Sequence, residues 1–238
     1  MNDVAKAMRA VFMKKLRPIV HQTLSARVCQ DFRELIISGQ LQPGERLTRA
    51  GMALGTSAMQ VRAAINKLAA DDALKILPNK SVRVPVLTRS WFRELVVIRL
   101  MVEGLAVEKA AECITDEQLA RLAGLEQAFR RGITLSKPDV NQMIQINKQL
   151  HFNAYAAAQM PVLFSLIEGL WLRMWPVLNL DLRNTSSRRR SDFPSVKSHR
   201  ALLDALRADD GVAAKTALAL DINSAAEVIF SNNGLKDS

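Results

Sequence analysis

From residue 89 onward the chain shows no recurring strand pattern and little glycine, and this limits its fold more than any other feature. Six stretches of helical periodicity follow one another, at about 89–112, 115–131, 138–158, 161–183, 190–208 and 210–231. Thr115 with Gln118 three residues later forms a capping-box pattern, and Pro138 and Pro161 stand where first helical turns begin. Amphipathic helices in succession bury their apolar sides against each other, so residues 89–232 are expected to form an all-helical bundle. The polar run NTSSRRR at 184–190 is expected to be a mobile loop.

The front of the chain is different. TLSARVCQDFRELIIS at 23–38 places Val28, Phe32, Leu35 and Ile36 on one helical side, and Gly39 ends the pattern before a Pro43-Gly44 turn. A shorter helix is expected at 48–54 and another at 57–71. In the latter, Ser57 and Gln60 match a capping box, and Val61, Ala64, Ile65 and Leu68 make a narrow apolar stripe. Advancing 100° per residue puts Met59, Arg62, Ala63 and Asn66 on the opposite face. KILP and SVRVPVL, either side of Asn79-Lys80, read as a two-stranded hairpin with a basic tip. Three helices and a hairpin make a winged helix-turn-helix over residues 23–86. A linker near Pro85–Thr88 joins it to the bundle, and the fold class is mainly α.

Charge assigns a partner to this front domain. The 238-residue chain carries a net charge of +10. Residues 1–88 hold 14 Lys/Arg against 6 Asp/Glu, a net of +8, whereas residues 89–238 hold 19 against 17, a net of +2. A solvated basic surface has no reason to concentrate its excess in one segment; phosphate neutralisation does. Residues 1–22, interrupted by Lys6, Arg9, Lys14 and Lys15, read as a flexible basic arm rather than a signal peptide. No apolar run approaches the ~18 residues a membrane span requires. Cys29 and Cys113 lie in helical patterns without metal-like spacing, which implies buried free thiols in a cytoplasmic protein with no membrane partner.

ELIISGQLQPGERL, ALGTSAMQVRAAINKLAADDAL and LPNKSVRV together resemble the N-terminal domain of GntR-family transcriptional regulators. The helical remainder is similar to the FCD effector domain of the FadR subgroup, through Arg99-x-x-x-Glu103, His151-Phe152 and the later His199. The chain departs from the pattern by being about two residues shorter between Leu47 and Ser57, with Gly51 inside the expected helix. Ala63 replaces the usual Glu, and Ala58 stands where many members carry Arg. The resemblance implies a DNA-binding regulator, expected to be a repressor, working as a homodimer on a double-stranded operator. It places Arg62 against the DNA backbone and Ser57 and Gln60 at the helix end nearest base edges. Arg46 and Arg49 precede the reading helix, and Lys80 sits on the wing tip.

Two of the three histidines lie in the bundle. Asn147 and His151, four apart, share a helix face. His199 and Asp221 are equidistant from a turn at Asp210-Gly211, so an antiparallel hairpin sets them side by side. In metal-binding FCD members the matching positions resemble Asp, His, His and His. Asn147, His151, His199 and Asp221 therefore make a candidate site for a divalent ion such as Zn, Ni or Mn. The competing reading is a pair of hydrogen-bonded core histidines. Arg99 beside Glu103 is either an intrahelical ion pair or, with Asn147, His151 and His199, part of the site that holds a small organic acid. Trp171, Met174 and Trp175 either line that cavity or are plain core. Two other functions stay open: a metal-dependent all-helical enzyme, and a regulator whose bundle takes an apolar ligand or a protein partner.

Overall fold

The computed structural model describes residues 24–37, 41, 43–47, 58–183, 194–231 and 235–237. The expected arm at 1–22, the helix at 48–54, Arg49, Ser57 and the loop at 184–190 lie outside them. Helix α1 is Leu24–Ile37 and α2 is Ala58–Ala70; between them lies strand β1, Arg46–Leu47. Strands β2 (Lys75–Ile76) and β3 (Val82–Arg83) follow. The bundle consists of α3 (Arg89–Cys113), α4 (Asp116–Ile133), α5 (Val140–Ala157), α6 (Pro161–Arg183), α7 (Pro194–Arg207) and α8 (Gly211–Ser231).

In the front domain the stripe read from sequence is the buried one: Val61, Ala64, Ile65 and Leu68 of α2 pack on Val28, Phe32 and Ile36 of α1. The wing is a three-stranded antiparallel sheet in the order β1-β3-β2, not a two-stranded hairpin. Gly44, at φ +80°, turns the chain so that its N–H donates to Val84 (3.0 Å) and Glu45 accepts from Val84 (3.0 Å). A left-handed φ suits glycine there. β1 is only two residues long, too short for an alternating pattern to reveal it.

Caps set the bundle's helix starts. Thr88 accepts from the Trp91 N–H (3.2 Å), Thr115 and Gln118 close the expected capping box, and Asp139 accepts from Gln142 (3.1 Å). Each satisfies backbone donors that the first helical turn cannot pair internally. Helix α3 runs through the middle, packed against α5, α6, α7 and α8, while α7 and α8 form a hairpin. Close approach is required at its turn, since a Cβ on Gly211 would meet the Glu108 carbonyl oxygen at 2.8 Å. Residues 235–237 return to the linker, where Lys236 donates to Leu87 and accepts from Arg89, both at 3.0 Å. Trp171, Met174 and Trp175 are all buried in the bundle core. Cys29 is buried, but Cys113 is exposed: it is the last residue of α3, beyond the packed face.

The two domains are joined through α6. Leu172 is buried in the core of the front domain, although it lies on a bundle helix. Its neighbour Arg173 donates to the Asp71 carbonyl (3.2 Å) and lies 3.5 Å from the Asp72 carboxylate. Lys148 of α5 reaches Glu34 of α1 at 3.5 Å.

Candidate functional site

Three cations line up across the wing. The sheet register sets Arg46 opposite Arg83 and Lys75 opposite Arg83, so the three share one face. Directly opposed like charges repel, which makes such a row costly unless an anion lies on it. Lys80, exposed at the tip with φ +60°, belongs to a turn in which its N–H donates to Leu77 and Ser81 donates to the Asn79 side chain. On α2, Arg62 is exposed opposite the buried stripe and Gln60 is half-buried in the first turn. Arg46, Lys80 and Arg62 thus lie on the exterior of one small domain. Lys75 escaped sequence reasoning, because its alignment with Arg83 exists only once the sheet forms.

The bundle holds a connected buried polar network. Arg99 is 4% exposed and Glu103 is fully buried, so their i,i+4 pair is internal rather than a surface contact. Glu103 Oε1 accepts from Arg99 Nε (2.5 Å) and Trp171 Nε1 (3.0 Å), and Oε2 accepts from Arg99 Nη2 (3.0 Å) and Tyr155 (2.6 Å). Those four bonds saturate the carboxylate. Burial alone would lower the Arg99 pKa, but Glu103 outweighs it and holds the guanidinium more firmly charged. The guanidinium also lies over the Trp171 ring, 5.1 Å from its centroid. Burial together with the Glu103 charge pushes the Tyr155 phenol well up, so it stays a proton donor.

From Tyr155 the network continues to the histidines. The Tyr155 hydroxyl lies 3.1 Å from His151 Nδ1. Its one proton goes to Glu103, so it accepts, and the Nδ1 of His151 carries the ring proton. The Nε2 of His151 lies 3.2 Å from Asp221 Oδ2 and 3.3 Å from His199 Nε2. His199 Nε2 lies 3.8 Å from Asp221 Oδ1. Burial lowers the His199 pKa to about 4, with Asp221 opposing and His151 reinforcing the shift, so the ring is neutral near pH 7. Burial would raise the Asp221 carboxyl, but His199 and His151 hold it well below the usual carboxylate range.

This donor set fits a divalent cation. Bonds of ~2.1 Å at tetrahedral angles separate ligand atoms by about 3.4 Å, and the three contacts bracket that value. One oxygen of Asp221 and Nδ1 of His199 are buried without a hydrogen-bond partner. A cation held between the two Nε2 atoms and the Asp221 carboxylate would satisfy the unpartnered Asp221 oxygen. The histidines are buried core residues whose Nε2 atoms face a shared point with Asp221. Asn147 lies one turn before His151, half-buried on the same helix.

Two buried polar residues of the bundle were not anticipated. Tyr155, the chain's one tyrosine, is four residues after His151, a spacing that put it within reach. Glu126 occupies a position in the buried stripe Leu122, Phe129 and Ile133 of α4, and a carboxylate in such a stripe is itself a signal. Between the domains, a small cleft of about 50 Å³ is lined by Phe152, Trp171, Trp175, Lys148 and Glu34, among others.

Comparison with known proteins agrees with this division of labour. Residues 24–84 match the model for bacterial regulatory proteins of the gntR family, and residues 94–224 match the FCD domain. The HTH-type transcriptional regulator McbR of Escherichia coli (strain K12) is 31% identical over 194 residues, covering 80% of this chain and 85% of that protein. The solved structure of E. coli McbR/YncC superposes with a TM-score of 0.78 at 28% identity, over 88% of this chain and 98% of that one. A transcriptional regulator GntR from Rhodococcus sp. RHA1 shares the fold, with a TM-score of 0.70 at 23% identity, over 87% of this chain and 97% of that one.

Proposed function

Because the chain belongs to the GntR family of DNA-binding transcriptional regulators and carries an FCD domain, we propose that it works as a homodimer whose grip on a double-stranded operator is governed by a small organic acid. Ser57 and Gln60 meet base edges in the major groove, while Arg62, Arg46, Arg49 and Lys80, joined by Lys75 and Arg83, neutralise phosphates. The cation row across the wing is the observation that supports phosphate contact most directly. Repression is the expected outcome, by occlusion of the promoter.

The effector site is assigned to Arg99, Asn147, His151 and His199, with a divalent metal (Zn, Ni or Mn) held by His151, His199 and Asp221 and completed by Asn147. The convergence of two Nε2 atoms and a carboxylate within 3.8 Å carries this reading. Such a cation supplies a Lewis-acid contact for a carboxylate. Arg99 spends two of its five N–H groups on Glu103, which leaves donors for an acid beside it. Trp171 bonds to the same Glu103 while the next residue, Leu172, is buried in the DNA-binding domain, so an acid at Arg99 acts on the helix that carries both.

Assembly rests on an apolar stripe. Val97, Met101 and Leu105, four residues apart on α3, are 54%, 68% and 38% exposed. A stripe of this kind is what a two-fold partner would cover. The relatives are regulators, which favours this function over a metal-dependent enzyme. Elemental analysis of the purified protein, followed by thermal-shift screening of organic acids with and without added metal, tests the proposal. Stoichiometric or restorable metal with an acid-dependent shift is expected; absence of both, with unchanged operator binding in every acid, overturns the effector assignment.

A further inference from the structure

One buried carboxylate has no place in the network described so far. Glu126 is 3% exposed, and its Oε1 accepts no hydrogen bond. Arg130 Nε approaches to 3.3 Å, but off the direction a hydrogen bond needs. Across the α4–α7 contact, His199 Nδ1 is likewise buried and unpartnered. Glu126 and His199 line the same small cavity, about 10 Å³, walled otherwise by leucines including Leu122, Leu150 and Leu206. That volume is near the minimum for one water, about 10–15 Å³, and a water is stable there only with polar partners. The two orphaned atoms are those partners.

The chemistry at His199 needs a proton acceptor in this place. If Nε2 is to offer its lone pair toward His151 and Asp221, the ring proton must sit on Nδ1. A buried N–H without an acceptor costs ~1–3 kcal/mol. The opposite tautomer avoids that cost by donating Nε2–H to His151 Nε2, 3.3 Å away, and thereby withdraws the ligand atom. Phe129, edge-on to the ring at 4.9 Å, fixes the ring plane but offers no acceptor.

We propose that Glu126 is a positioning residue for His199: through one bridging water its carboxylate accepts the Nδ1 proton and keeps Nε2 turned toward His151 and Asp221. Tyr155 and Glu103 do the same directly for His151, so each histidine has a carboxylate behind it, one through a phenol and the other through a water. Partners of this kind typically account for about 10- to 100-fold in metal affinity. The inference rests on the metal reading of His151, His199 and Asp221, but its structural core concerns a tautomer that exists without metal.

The test uses the full chain, labelled with ¹⁵N and freed of metal. With only three histidines, the ring-nitrogen correlations are readily assigned. In the parent, His199 is expected as the Nδ1–H tautomer, with an Overhauser effect from that proton to water. Glu126→Gln keeps an accepting oxygen and should keep the tautomer; Arg130→Gln, which leaves Glu126 in place, should also keep it. Glu126→Met should move the proton to Nε2 and weaken zinc binding, measured by competition with a chelator, about 10- to 100-fold. A parent with Nε2–H, no water contact in the parent, or a folded Glu126→Met protein with unchanged tautomer and zinc affinity each overturns the proposal. The water contact needs no variant, so it decides even if Glu126→Met fails to fold. If the parent takes up no zinc while the tautomer follows Glu126, the metal reading fails and the role of Glu126 stands.

Discussion

At the scale of single residues, the side chains proposed to meet DNA differ in what each removal should do. Arg62 is exposed on α2, and its charge serves any phosphate. Arg62→Ala is expected to weaken binding to every duplex alike and to reduce the salt dependence by about one counterion, read from affinity against salt concentration. Gln60→Ala should instead flatten discrimination between operator and mutated operator, by about 1–3 kcal/mol at the base it reads. The buried histidine makes a separate prediction for the metal-free protein. His199 is neutral in the native state because its pKa lies at about 4, and on unfolding it returns to the ordinary value near 6.5. Between these values the unfolded chain binds more protons, so stability falls as pH drops from about 6.5 to about 4, by up to ~1.4 kcal/mol per pH unit. Urea midpoints at about pH 7 and about pH 4.5 should diverge for the parent and far less for His199→Gln. Below that range the lowered Asp221 carboxyl adds a further loss of the same sign. The histidine–aspartate meeting was legible, because equal distances from one turn determine neighbours in a helical hairpin. Glu126 and Tyr155 were not, because their roles depend on which atoms other helices leave unpaired.

At the scale of elements, helix α6 joins the two halves with three consecutive residues. Trp171 bonds to Glu103 in the bundle, Leu172 fills the front-domain core, and Arg173 holds the end of α2 through Asp71 and Asp72. Leu172→Ala should open a cavity in a domain to which the residue does not belong by sequence, at a cost of about 2–5 kcal/mol. Hydrogen exchange is expected to quicken in α1 and α2 and to stay unchanged in the α7–α8 hairpin; equal quickening everywhere would remove α6 from its linking role. Among the described residues helix existence was readable, since periodicity and caps such as Thr115-Gln118 act locally. The third wing strand was not, because two residues carry no period and their pairing is made by Gly44 at a distance of some forty residues. Leu172 reads from sequence as one more bundle residue, and only tertiary packing reveals its other allegiance.

For the whole molecule, the uneven charge and the basic wing support the proposed DNA contact, and the buried donor cluster supports the proposed small-ligand site. Coupling between them requires that the ligand favour one arrangement of the domains, and linkage makes the effect reciprocal. The most direct test is the affinity of the full chain for a duplex that it selects from a random pool, followed by fluorescence anisotropy at fixed salt. Parent and His199→Ala proteins are compared with and without zinc and the organic acid that gives the largest thermal shift. The parent is expected to bind the selected duplex and to change affinity by at least about fivefold when zinc and acid are added together. His199→Ala should bind as the ligand-free parent does and show no change. A parent that ignores all duplexes at low salt, or that responds to zinc and acid no differently from His199→Ala, would contradict the account.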